Sequence, residues 1–106
     1  MAGKPVCLIE STAVAGTHHV ARIRMLADSL KAGEPLLLKR DARNPYDLHS
    51  VEVLDRGKRH LGYLSCEYNE IVSRLIDGGR KVVGLVNCVS EVGGWVKIDM
   101  AVMLND

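Results

Sequence analysis

From Trp95 to Leu104, every second residue on one side is apolar: Val96, Ile98, Met100, Val102 and Leu104. Successive side chains of a strand point to opposite faces, so this pattern describes a strand with one face buried. A strand of this kind needs antiparallel partners to bury its apolar face. The remaining apolar runs are also short, and clusters of Gly, Pro, Asn and Asp punctuate them. Val6 to Val14 reads as a first strand, leaving through Ala15-Gly16-Thr17. Pro35 heads the next, because it can open a strand but not sit within a ladder, and Leu36-Leu37-Leu38 follow it. Ser50 to Leu54 and Arg59 to Leu64 are expected as strands around a hairpin turn at Asp55-Arg56-Gly57-Lys58. Val82 to Val89 pairs with Trp95 to Leu104 through Ser90 to Gly94.

Two helical segments interrupt these strands. Val20, Ile23, Leu26, Ala27 and Leu30 recur at helical steps before Gly33. Cys66 to Ile76 places Ile71, Val72, Leu75 and Ile76 on one face, with Glu67, Glu70, Ser73 and Arg74 elsewhere. Ser65 is the expected N-cap and Gly78-Gly79 the exit. Short antiparallel strands with inserted helices are expected to form a mainly β fold, a small OB-like or SH3-like barrel, because closure removes exposed edges. With 106 residues, one domain over 1–106 is expected. A chain of this size buries roughly 65% of its unfolded surface, enough for one core without staples.

Composition narrows the function classes. A hydrophobic fraction of 47% with 25% charged residues is that of a globular chain, and a formal charge of +1 argues against binding through a broad positive face. Any nucleic-acid contact should be local. No apolar run approaches the roughly 20 residues of a membrane span, and the first residues lack the apolar stretch of a signal peptide, so a cytoplasmic protein without membrane contact is expected. Cys7, Cys66 and Cys88 are odd in number and far apart, unlike a disulfide framework. Cys7 and Cys88 fall within apolar runs and are expected to be buried as small hydrophobes.

The order of motifs is informative. Val14-Ala15-Gly16-Thr17, Gly33-Glu34 with Leu36, Leu38 and Arg40, Asn44-Pro45-Tyr46-Asp47, Ser50-Val51-Glu52-Val53 and Leu61-Gly62-Tyr63-Leu64 occur in series, followed by the helix from Cys66. In this respect the chain resembles the HIRAN family from about residue 14 to 104, as a small stand-alone member of bacterial type. The resemblance implies an OB-like barrel that binds single-stranded DNA or a DNA 3′ end in repair or replication. It also implies that Tyr46 stacks on the terminal base and that Asp47 reads the 3′-hydroxyl. An aromatic ring accepts any base because every base has a π-face. A carboxylate accepts a bond from a hydroxyl and repels a phosphate.

Other readings of the same residues stand beside these. Asp47 is equally suited to bonding backbone amides in its own turn, Tyr46 to plugging the barrel mouth, and Asn44 to initiating the turn. The chain departs from the DNA-binding pattern where His18-His19 replaces an Arg-Tyr pair and where Cys66 replaces a basic residue. The candidate surface therefore comprises Tyr46, Asp47, Asn44 and Arg43 in the turn, with His18, His19, Tyr63 and Cys66 near it. Arg22, Arg24, Lys39, Arg40, Lys58 and Arg59 are further candidates to meet phosphate.

Enzyme chemistry has little support. The chain lacks a Walker-type phosphate loop, so no ATPase or cofactor is expected. His18, His19, His49, His60 and Cys66 lack the paired spacing of zinc sites, and the adjacent His18 and His19 would diverge in an extended chain. No metal site is expected. Alternatives are a protein-interaction module that accepts a partner by strand addition and, further off, a component of a metal-dependent hydrolase. The oligomeric state is left open.

Overall fold

The computed structural model describes residues 4–106. It contains strands β1 (Val6–Ala13), β2 (Pro35–Arg40), β3 (Val51–Leu54), β4 (His60–Tyr63), β5 (Val82–Val92) and β6 (Trp95–Leu104), and helices α1 (Ile23–Asp28) and α2 (Asn69–Asp77). The strands form one six-stranded antiparallel sheet in the order β1-β6-β5-β2-β3-β4. This sheet curls into a half-barrel, the small OB-like architecture expected from the strand pattern.

Its two edges meet at one point. The Ala15 amide donates to the Tyr63 carbonyl at 2.7 Å, and the Tyr63 amide returns a bond to the Ala15 carbonyl at 2.9 Å. Gly62 makes this approach possible. A Cβ on Gly62 would lie 2.3 Å from the Ala15 carbonyl oxygen and 2.8 Å from Val14 Cγ1, and its φ of 154° is one that L side chains rarely adopt.

The alternation in β6 has the expected result. Ile98, Met100 and Val102 are fully buried with Leu36, Val51, Val53 and Leu61, and Val72 of α2 completes the same core. Fully burying one such side chain contributes about 1.5–3 kcal/mol. At the β3–β4 turn, buried Asp55 accepts from both the Arg59 amide and the Arg59 Nε, while Lys58 takes a φ of 64°. Among the described residues, no helix is long and apolar enough to cross a membrane.

Several local expectations are corrected. Cys7 and Cys88 are exposed, as is Cys66. Register shifts between Cys7 and Ile9 and between Val86 and Cys88 break the alternation that would have carried both thiols inward. The helix expected from Val20 to Leu30 contracts to α1, preceded by a separate 3-10 turn at Thr17–His19. Helix α2 begins at Asn69 rather than Cys66, because Ser65 organises a turn over residues 66–68 in which its hydroxyl accepts from the Glu67 amide. On α2, Ile71 is exposed, whereas Ser73 is buried and donates to the Glu70 carbonyl. Strand β5 continues to Val92, since Gly93 and Gly94 both take positive φ (57° and 82°) and close a two-residue hairpin.

The Gly62 approach generates a stability prediction. Gly62→Ala must displace a backbone oxygen and with it the closing bridge, at about 3 kcal/mol or more. Gly33→Ala, where φ is +84° but space is open, should cost about 1–2 kcal/mol of backbone strain. Denaturant unfolding of both variants tests this, and a Gly62→Ala protein as stable as Gly33→Ala would refute the closure argument.

Candidate nucleic-acid interface

The loop from Asp41 to Ser50 is held from both sides. Within it, Asn44 Oδ1 accepts from the Tyr46 amide at 2.9 Å, and Asn44 Nδ2 reaches Asp41 Oδ2 at 3.3 Å and Ser50 Oγ at 3.4 Å. Outside it, the Arg40 guanidinium donates to the Ser50 carbonyl (2.8 Å) and the Leu48 carbonyl (2.9 Å) and pairs with Asp77 on α2 (2.9 Å). Arg40 is therefore a strap for the loop rather than a free phosphate contact. Arg24 pairs with Glu91, and Arg59 gives its Nε to Asp55, which leaves the Arg59 terminal amino groups without a protein partner among the described residues.

Asp47 anchors the loop to the start of α2. Its Oδ1 accepts from the His49 amide at 2.8 Å and its Oδ2 from Asn69 Nδ2 at 2.7 Å. The His49 amide first, and then Asn69, hold the Asp47 carboxyl below its ordinary value of 3.8. Each oxygen keeps a second lone pair, so the carboxylate can still accept from a ligand hydroxyl. Tyr46 is 95% exposed and Leu48 75%. The ring does not plug the barrel mouth; the loop presents it to solvent on an ordered mount. Arg43 is exposed beside it.

A second group forms beyond the closing bridge. Gly16 takes a φ of 77° into the 3-10 turn, and Thr17 Oγ1 fixes that turn by donating to the Val96 carbonyl at 2.8 Å. The His18 ring centroid lies 3.8 Å from that of His19 and 4.2 Å from that of Trp95. The two histidines therefore come together rather than diverge, because the 3-10 turn replaces the extended chain assumed for them. Trp95, 56% exposed, was missed by sequence reasoning, as was Asn69. The available signal for Trp95 was its position directly after Gly93-Gly94, the tip of a hairpin.

Tyr63 stands between the two groups. Its backbone pairs with Ala15, its ring lies edge-on to His60 with centroids 5.1 Å apart, and the next residue, Leu64, donates its amide to the Val51 carbonyl beside the loop. The chain past Ala15 runs antiparallel to β4, so His18 and His19 lie toward the His60 end and the Tyr46 loop toward the Leu64 end. These ends are about 13 Å apart at ~3.3 Å per residue. Cys66 is exposed in the turn after Ser65. Among the described residues, no three His, Cys, Asp or Glu side chains converge as a metal site.

No curated protein sequence matches the chain. A crystal structure of a protein from Lactobacillus plantarum superposes with a TM-score of 0.80 at 24% identity, covering 95% of this chain and 97% of that one. The HIRAN domain of human HLTF superposes with a TM-score of 0.67 at 19% identity, covering 96% of this chain and 81% of that one. At these identities the two structures share the fold. The sequence profile of the HIRAN domain matches residues 10–105, almost the whole length. The chain belongs to the HIRAN domain family.

Proposed function

We propose that this HIRAN domain binds single-stranded nucleic acid and receives the 3′ end of a DNA strand at the 44–47 loop, in the service of repair or replication. The observation that carries this reading is Tyr46, an almost fully exposed aromatic ring on a loop that Arg40, Asn44 and Asp47 hold in place. Such a ring gives nothing to the core and offers a preordered stacking face. Asp47 lies beside it as an anion suited to a terminal hydroxyl and hostile to a terminal phosphate. The His18–Trp95 pair offers a second face for a base further along the strand.

One observation favours a second reading, a protein-interaction module. Cys7, Met103, Val83, Leu37 and Leu54 are successive partners across five strands and form an apolar row on the outer face of the sheet. Fluorescence anisotropy with short strands ending in a 3′-hydroxyl, a 3′-phosphate or a blocked terminus separates the two readings. DNA-end binding requires the hydroxyl strand to bind best. Equal, weak binding to all three favours the protein-interaction reading.

Two variants sharpen the test. Tyr46→Ala should leave the melting temperature unchanged, because the ring touches little of the fold. It should weaken binding by about 1–3 kcal/mol, roughly 5- to 150-fold. Asp47→Asn should reduce the preference for a hydroxyl over a phosphate end. Its effect on stability depends on pH in a defined direction. The folded carboxyl is depressed, so its contribution is present above the unfolded value of 3.8 and lost as pH falls through the folded value. The stability gap between the native protein and Asp47→Asn should thus persist at neutral pH and close in strong acid. A gap that widened on acidification would contradict the assignment.

A further inference from the structure

A groove of about 450 Å³ is lined by His19, Val20, Arg22, Met25, Arg59 and His60 among others. We infer that it holds the sugar–phosphate backbone of the nucleotides upstream of the strand's end. This extends the proposed site from a terminal nucleotide to a longer stretch, and it rests on the single-strand reading above.

Continuity is the first argument. His19 belongs both to the ring pair with His18 and to the wall of this groove. A strand that stacks at His18 therefore lies beside the groove, with His19 between the two.

The donors are the second. Among the described residues, the Arg22 side chain makes no hydrogen bond or ion pair, and the residue is exposed. Its φ of 61° marks the residue just before α1, and its side chain lines the groove. Arg59 is held from behind, because buried Asp55 takes its Nε at 2.8 Å. That bond orients the guanidinium, and the terminal amino groups suit the forked geometry of a phosphodiester. The nearby carboxylates are engaged: Asp55 with Arg59 and Glu52 with His60 Nδ1 at 2.7 Å. Both carboxylates keep their charge, so among the described residues Arg22 is the cation of the groove lining that no acid pairs with.

The floor is the third. Met25 is 56% exposed, and Val20, Ala21 and Leu26 continue the apolar surface. A cationic rim over an apolar floor matches a nucleotide backbone, whose phosphates are charged and whose sugars present carbon. An inorganic anion would leave the floor unused.

The test compares 5′-labelled oligothymidylates of two and eight nucleotides, both ending in a 3′-hydroxyl, by anisotropy across a salt series. The octamer should bind at least about tenfold more tightly than the dinucleotide at low salt, a gain of the size that charge-assisted bonds provide. Arg22→Ala and Arg59→Gln should each weaken the octamer about tenfold and leave the dinucleotide within about twofold. Each should also reduce the slope of log affinity against log salt by about 0.7, the value for one phosphate on a single strand. Circular dichroism of both variants identifies any loss of fold, and Arg22→Ala, a surface change, serves as the variant that remains folded. Equal binding of both lengths, or an unchanged octamer affinity and slope in both variants, would overturn the inference and leave the Tyr46 site standing. Binding that ignores Tyr46→Ala would instead remove the end-binding reading itself. Octamer binding that inorganic phosphate displaces at millimolar concentration, with no dependence on length, would reassign the groove to a free anion.

Discussion

The two hydrogen bonds between Ala15 and Tyr63 set the two halves of the candidate surface side by side. They join a strand at one edge of the sheet to a strand at the other and make a curled sheet into a half-barrel. Gly62 is the condition for that contact, since any side chain there would meet the Ala15 carbonyl. With the bridge in place, Gly16 to His19 turns onto the barrel surface on one side of Tyr63, and the Tyr46 loop stands on the other. Without it, the 3-10 turn would be held to β6 through Thr17 but not directly to β4. The functional surface is thus a consequence of how the barrel closes.

Charge acts locally in this molecule. The chain is nearly neutral, and arginines are drawn into structure: Arg40 into the Tyr46 loop and Arg24 into the β5–β6 hairpin, while Asp55 takes only the Nε of Arg59. A strand drawn to this surface would meet oriented rings and a few placed donors rather than a positive field. Stacking then carries most of the proposed affinity, and phosphate contacts add register and length dependence.

Much of the fold was legible because it follows from alternation and punctuation. Val51 and Val53 face inward, β6 buries one face, and the Asn44-Pro45 turn separates two strands, all as the residues indicate. The failures have physical causes. Two bulges turned Cys7 and Cys88 outward, and no composition rule marks a bulge. Ser65 heads a turn over residues 66–68 instead of α2, and Asn69, the first residue of α2, holds Asp47 across 22 residues of sequence. At the candidate site, Tyr46 and Asp47 could be named from their turn. The partners that give them meaning are long-range: Asn69 for Asp47, Arg40 for the loop, and Trp95 for His18. Local sequence carries no record of such pairings.

The central claim is that segments on either side of Tyr63 form one nucleic-acid surface. Backbone amide chemical-shift mapping tests it most directly, with a short 3′-hydroxyl single strand titrated into the isotopically labelled chain. The account predicts shifts centred on the loop around Tyr46 and Asp47, on Gly16 through His19, on Tyr63 through Cys66 and on the hairpin tip at Trp95. Shifts centred instead on the outer row of Leu37, Val83 and Met103, with the Tyr46 loop unmoved, would contradict it.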